Sequence, residues 1–197
     1  MNEVPLDEWA SCSVIDVARS LLGSTLRHDQ VTVRITEVEA YEGESDPASH
    51  AFRGPTPRTQ VMFGPPGRLY VYRSHGLHWC ANIVCGPDGR SSAVLLRAGE
   101  VLGGETEART RRGTVPYEQL GRGPGNVASA LGLTDALNGA ELSRAPLAWH
   151  PTPAGDRSIS TGPRVGVSGA ADRPWRLWLT GEPSVSAYRR SARARPG

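Results

Sequence analysis

A strand-like run that ends in acids constrains this chain more than any other feature. Residues 31–50 read VTVRITEVEAYEGESDPASH, and period-2 alternation puts Val31, Val33 and Ile35 on one face of a strand. The same parity carries Glu37, Glu39 and Tyr41 onto that face. A face built to be buried does not ordinarily end in carboxylates. Two readings account for it. Either the acids border a cleft, where partial desolvation raises a carboxyl pKa and makes a usable base, or the strand leaves the core near Glu37 and both acids sit in water. Alternation alone does not separate them.

The 197 residues can bury one good core, and no long apolar run, leader pattern or repeat is evident. One soluble, cytoplasmic, monomeric domain with no membrane association is expected. Three cysteines, an odd number without paired spacing, fit a reducing compartment. The basic residues number 22 and all are arginine. A net charge of +2 says little about partners, although the guanidinium fork suits phosphate. With no lysine, Schiff-base chemistry through a side-chain amine is excluded.

Along the chain, residues 1–12 carry no pattern and read as a lead-in. Ser13 and Asp16 form a capping box before an apolar stripe of Val14, Val17, Ala18, Leu21 and Leu22, which predicts a short helix. Between Tyr41 and Phe63 three prolines and no periodicity predict a long loop holding His50, Arg53 and Arg58. Residues 69–72 and 79–85 read as a hairpin whose tip carries Arg73 and His75. Residues 92–97 form an apolar strand ending in Arg97, and residues 100–112 read as a helix, acidic early and basic late. The run 121–125, GRGPG, leads into a short helix over 126–131 and offers free backbone N–H groups to a phosphate. Residues 145–160 read as loop, and 164–167 and 175–179 as strands. The tail, residues 189–197, holds four arginines and is expected to be disordered, with a non-specific phosphate contact as the functional alternative. His75, His78, Cys80 and Cys85 lack a metal-ligand spacing, and strand parity points Cys85 away from His78 and Cys80, so no metal and no cofactor are expected.

Taken together, these residues resemble a family, the alkyladenine (3-methyladenine) DNA glycosylases of the mammalian type, also found in bacteria. The resemblance spans residues 18–185. It rests on EVEAY at 37–41, His50, TPR at 56–58 with MF at 62–63, PGRLYVY at 66–72, GLHWCAN at 76–82, LLRA at 95–98, Gly123-Pro124 and RVGV at 164–167. The resemblance implies a single mixed α/β (α+β) domain over residues 13–188, with a curved, largely antiparallel sheet, flanking helices and a protruding hairpin. It also implies a monofunctional enzyme that flips a damaged purine out of double-stranded DNA and hydrolyses its N-glycosidic bond.

By the same resemblance Glu39 is the general base and Arg97 its electrostatic partner. Tyr41, His50 and Tyr72 match the residues that sandwich the flipped base, Ala51 belongs to the same substrate-binding group, and Asn82 matches the asparagine that crowds the exocyclic amine of normal guanine. The DNA-binding set is His75, Arg73, Gly76, Leu77, Arg58, Arg122, Gly123 and Gly125. His75 departs from the family, which commonly places a tyrosine there as a wedge. Two other classes stay open: a non-catalytic binder of damaged DNA, and a glycosidase using Glu37 and Glu39 as a pair, their carboxyls about 6–7 Å apart from strand rise.

Overall fold

The first regular element follows from its cap. Ser13 Oγ accepts the Asp16 backbone N–H at 3.1 Å and donates to the Asp16 carboxylate at 2.7 Å, so helix α1 (Val14–Leu21) begins where the capping box predicts. Val14, Val17, Ala18 and Leu21 are buried, and each Val or Leu so buried contributes about 1.5–3 kcal/mol. The computed structural model describes residues 5–195 except 153 and 156. Its first described segment corrects the lead-in reading. A 3-10 turn at Leu6–Ser11 carries Trp9, 1% exposed, edge-on against Trp149 with ring centroids 6.2 Å apart. A lone indole has no periodicity to betray it.

The sheet is antiparallel at every pairing. Its strands are β1 (Thr25–His28), β2 (Val31–Tyr41), β3 (Leu69–Ser74), β4 (His78–Val84), β5 (Ala93–Gly103), β6 (Leu147–His150), β7 (Ile159–Gly162) and β8 (Arg176–Leu179). The order is β3-β4-β5-β2-β1-β6, with β8 pairing to β2 and β7 to β8. Helices α2 (Glu105–Arg112) and α3 (Pro124–Leu131) complete a single mixed α/β domain with a curled sheet and few helices.

Strand β2 does not keep one parity. Ile35 and Glu37 face the consecutive residues Gly99 and Ala98, which leaves Thr36 as an extra residue; Glu37 and Val38 then face Ala98 and Leu96, which leaves Arg97 extra on β5. These are two bulges in opposite strands. Before them the buried apolar residues are Val31, Val33 and Ile35; after them they are Val38 and Ala40. The expectation that Glu37, Glu39 and Tyr41 share the core face of Val31 is therefore overturned, because the bulge turns them to the opposite side. There β2 also changes neighbour, pairing with β1 up to Arg34 and with β8 from Glu37 to Glu39.

Other expectations shift for local reasons. The helix expected over 100–112 starts at Glu105, because β5 runs through Gly103 and Gly104 adopts φ +72° with its α-carbon against β2's approach. A β-carbon there would lie 2.2 Å from the Gln30 carbonyl oxygen. The loop expected over 145–160 contains β6 and the start of β7, short strands of which β6 pairs with the distant β1 and β7 with the following strand β8. Residues 164–167 are not a strand but an irregular loop tied down by side chains. Where it is described, the tail meets the 166–171 loop: Gly166 N–H donates to Arg189 O at 3.0 Å and Arg195 N–H to Ser168 O at 2.7 Å. Such main-chain bonds are not revealed by composition. Residues 1–4 and 196–197 of the expected lead-in and tail lie outside the described residues.

Candidate active site

On the face of β2 opposite the main core lies a cavity of about 400 Å³. Glu39 forms part of its floor and is fully buried. Its Oε1 accepts the Val165 backbone N–H at 2.7 Å and lies 3.4 Å from Arg97 Nε, while Oε2 accepts the Tyr41 hydroxyl at 2.9 Å. Burial raises its pKa above the ordinary carboxylate value; Arg97, the Val165 N–H and Tyr41 oppose the rise without cancelling it, and Glu37 adds to it. The carboxylate keeps a lone pair on Oε2 beyond the Tyr41 bond.

Glu37, two residues earlier, does not line the cavity. Its Oε1 accepts from Arg97 Nε at 3.1 Å, Arg176 Nε at 2.5 Å and Ser186 Oγ at 3.0 Å, and its Oε2 accepts the Ser186 N–H at 2.7 Å. Four donors thus converge on one carboxylate. That arrangement removes the pairwise glycosidase reading, since Glu37 has no face toward a substrate.

The loop that supplies the Val165 N–H is anchored by Arg164, 1% exposed. Its guanidinium binds both Asp46 carboxylate oxygens and donates to Ala40 O at 3.0 Å. It also lies over the Tyr41 and Trp175 rings, 4.7 and 5.2 Å from their centroids. One arginine therefore fixes the donor to Glu39 and the ring of Tyr41 together.

Aromatic residues form the opposite wall. His50 meets Tyr72 edge-on at 4.6 Å, Tyr70 stacks on Tyr72 at 5.5 Å and 21°, and His50 Nδ1 is 3.3 Å from the Tyr70 hydroxyl. Burial lowers the His50 pKa and the nearby Arg58 guanidinium lowers it further, so the imidazole is neutral near pH 7. Arg58 lies 5.5 Å over the Tyr72 ring. Asn82, buried beside Tyr70 and Leu95 in the strand register, lines the cavity and donates to Tyr70 O at 3.4 Å. Ala51 does not line it: the residue is buried behind His50, and its N–H is taken by Ser49 Oγ at 3.1 Å.

At the rim the β3–β4 turn holds His75 and Gly76 in left-handed conformations, φ +50° and +70°. His75 reaches the cavity edge, and Leu77 projects from the tip with 71% of its surface exposed. Arg73 lies outside the cavity, 5.4 Å over the Trp79 ring. The glycine-rich run packs against this hairpin; Gly125 approaches so closely that a β-carbon would lie 2.9 Å from His78 Cβ, and Pro124 lines the cavity. Gly123 takes φ +102° at the start of α3. Arg122 turns away from it, donating to Pro183 O, so the guanidinium is engaged within the fold.

A profile of the family Methylpurine-DNA glycosylase (MPG) matches residues 8–183. The chain belongs to this family. Among its relatives, proteins named "Putative 3-methyladenine DNA glycosylase" occur in Mycobacterium tuberculosis, at 53% identity over 91% of this chain and 92% of the relative. Others occur in Rhodococcus jostii, at 52% identity over 98% and 89%, and in Cutibacterium acnes, at 50% over 91% and 97%. Within the methylpurine-DNA glycosylase match, the sequence reading passed over several residues that build the site. Tyr70 had a signal, its parity with Tyr72. The Arg164–Asp46 pair and the Arg176–Ser186 grip on Glu37 had none, since their partners are 118, 139 and 149 residues apart.

Proposed function

We propose that the protein is a monofunctional DNA glycosylase that removes alkylated or deaminated purines from double-stranded DNA as a step of base excision repair. The observation that carries this reading is the buried Glu39 carboxylate, raised in pKa and open on one lone pair to a cavity walled by His50, Tyr70 and Tyr72. A cavity of about 400 Å³ falls in the usual range for small-molecule sites, roughly 300–1,000 Å³. It suits one extruded base rather than a duplex.

Among the described residues no ring contact joins Tyr41 to His50 or Tyr72, although all three line the cavity. The base enters between Tyr41 and the His50–Tyr72 pair. Electron-rich faces on both sides favour an alkylated, cationic purine, and a neutral His50 adds no opposing charge. A water on Glu39 gives its proton to Oε2 as its oxygen attacks the anomeric carbon, and the C–N bond electrons leave with the purine. A cationic purine departs neutral and needs no acid. Arg97 supports the ionised Glu39, and Asn82 stands where the exocyclic amine of guanine would crowd it.

The test is release of free base from a duplex containing an alkylated purine or hypoxanthine. The wild type is expected to release it and Glu39→Gln to bind without release. Equal turnover by Glu39→Gln overturns the assignment, and binding with no release by the wild type favours the non-catalytic binder.

A further inference from the structure

The charge balance of this molecule is uneven in a way that bears on DNA. The chain carries a net charge of +2, and residues 189–197 contribute four arginines and no acid, so the remaining 188 residues carry −2. A body of net negative charge is a poor partner for a polyanion. The positive balance resides in the last nine residues.

That segment is not a loose tail. Gly166 N–H donates to Arg189 O, Arg195 N–H to Ser168 O and Ala171 N–H to Arg195 O at 3.0, 2.7 and 3.3 Å. Gly166 and Ser168 also line the cavity. The loop therefore has the cavity on one side and the arginine-rich segment on the other. These three pins are main-chain bonds, so among the described residues they ask nothing of the Arg189, Arg193 and Arg195 guanidinium groups. Arg189, Arg193 and Arg195 are exposed. Arg190 is engaged, donating to the Asp172 carboxylate at 2.7 Å.

We propose that residues 189–195 form a DNA-phosphate contact surface at the cavity rim, with Arg189, Arg193 and Arg195 as the contacting side chains. This rests on the glycosylase reading, which makes duplex DNA the polyanion presented to that rim. Guanidinium groups fixed on a pinned backbone bind phosphate with less ordering cost than a floating tail. The contact reads no base sequence, so it supplies affinity and orientation while the cavity supplies selection.

Duplex affinity is measured by fluorescence anisotropy across a range of salt concentrations, for the wild type and for the triple variant Arg189→Ala, Arg193→Ala, Arg195→Ala. Each phosphate contact adds about 0.9 to the slope of log affinity against log salt. The Ala variant is expected to be shallower by about 2–3, and the matching triple Lys variant to recover the wild-type slope. An Ala variant with the wild-type slope overturns the proposal, and so does a Lys variant that stays as shallow as Ala, since shape rather than charge would then matter. Base release by the wild type is scored separately, so failure of the glycosylase reading is distinguishable from failure of the rim contact.

Discussion

Glu37 Oε1 accepts the Arg97 Nε–H at 3.1 Å, a closer contact than the 3.4 Å that separates Arg97 Nε from Glu39. Arg97 therefore leans on Glu37, and Glu39 receives only part of its charge. This division suits the role proposed for Glu39, because full pairing with Arg97 would hold the carboxylate at low proton affinity. Glu37→Gln is expected to let Arg97 move toward Glu39 and to remove a negative neighbour that raises the Glu39 pKa. The acid limb of the pH–rate profile then shifts to lower pH. Stability falls by about 3–5 kcal/mol, because the buried Arg97 and Arg176 lose a shared anion. Urea unfolding and a pH–rate series check both, and an unmoved acid limb would show that Glu37 only holds the fold.

Glu39 itself has the opposite effect on stability. Its folded pKa is raised, so whatever stability its protonated form contributes is present below the unfolded carboxyl pKa and is lost as pH rises through the folded value. At neutral pH the ionised carboxylate is a cost to the fold. Glu39→Gln is expected to lower base release by about 10²–10⁴, with a thermal midpoint at pH 7 no lower than that of the wild type. A clearly lower midpoint would contradict the burial argument.

Tyr72 carries two ring contacts, to His50 and Tyr70, as well as the cavity wall. Tyr72→Ala is expected to weaken binding of the lesion-containing duplex by about 1–3 kcal/mol relative to an undamaged one. Tyr72→Phe keeps the ring and should stay close to wild type. Competition binding with the two duplexes separates the outcomes, and equal losses on both would remove Tyr72 from lesion recognition.

Among the described residues Asp46 is the one carboxylate paired with the buried Arg164 guanidinium. Asp46→Ala leaves that cation unpaired and is expected to cost about 3–5 kcal/mol. Activity should fall below what the folded fraction explains, because the Val165 N–H that holds Glu39 is tethered through Arg164. Single-turnover rates per folded molecule, with the folded fraction taken from circular dichroism, provide the check.

Much of this molecule was legible in the chain because it is local. The α1 cap, the β3–β4 hairpin and the α3 start each follow from residues within one turn of each other, and the resemblance supplied Glu39, Arg97 and the aromatic set as candidates. What escaped was non-local. Trp9 finds Trp149, Arg164 finds Asp46, and Ser186 finds Glu37 only after the sheet has closed. The parity error at β2 has the same origin, since a bulge is decided by two strands at once and one strand's letters do not show it.

Thr36 and its bulge divide β2 into two segments that answer to different demands. Upstream, substitutions are judged by core volume; downstream, every other position is judged by chemistry. Were the strand straightened with no residue removed, one parity would run its whole length, and Glu39 would be thrust among the leucines while Val38 turned toward the cavity. The irregularity is what lets a single strand serve the core with one half and the cavity with the other.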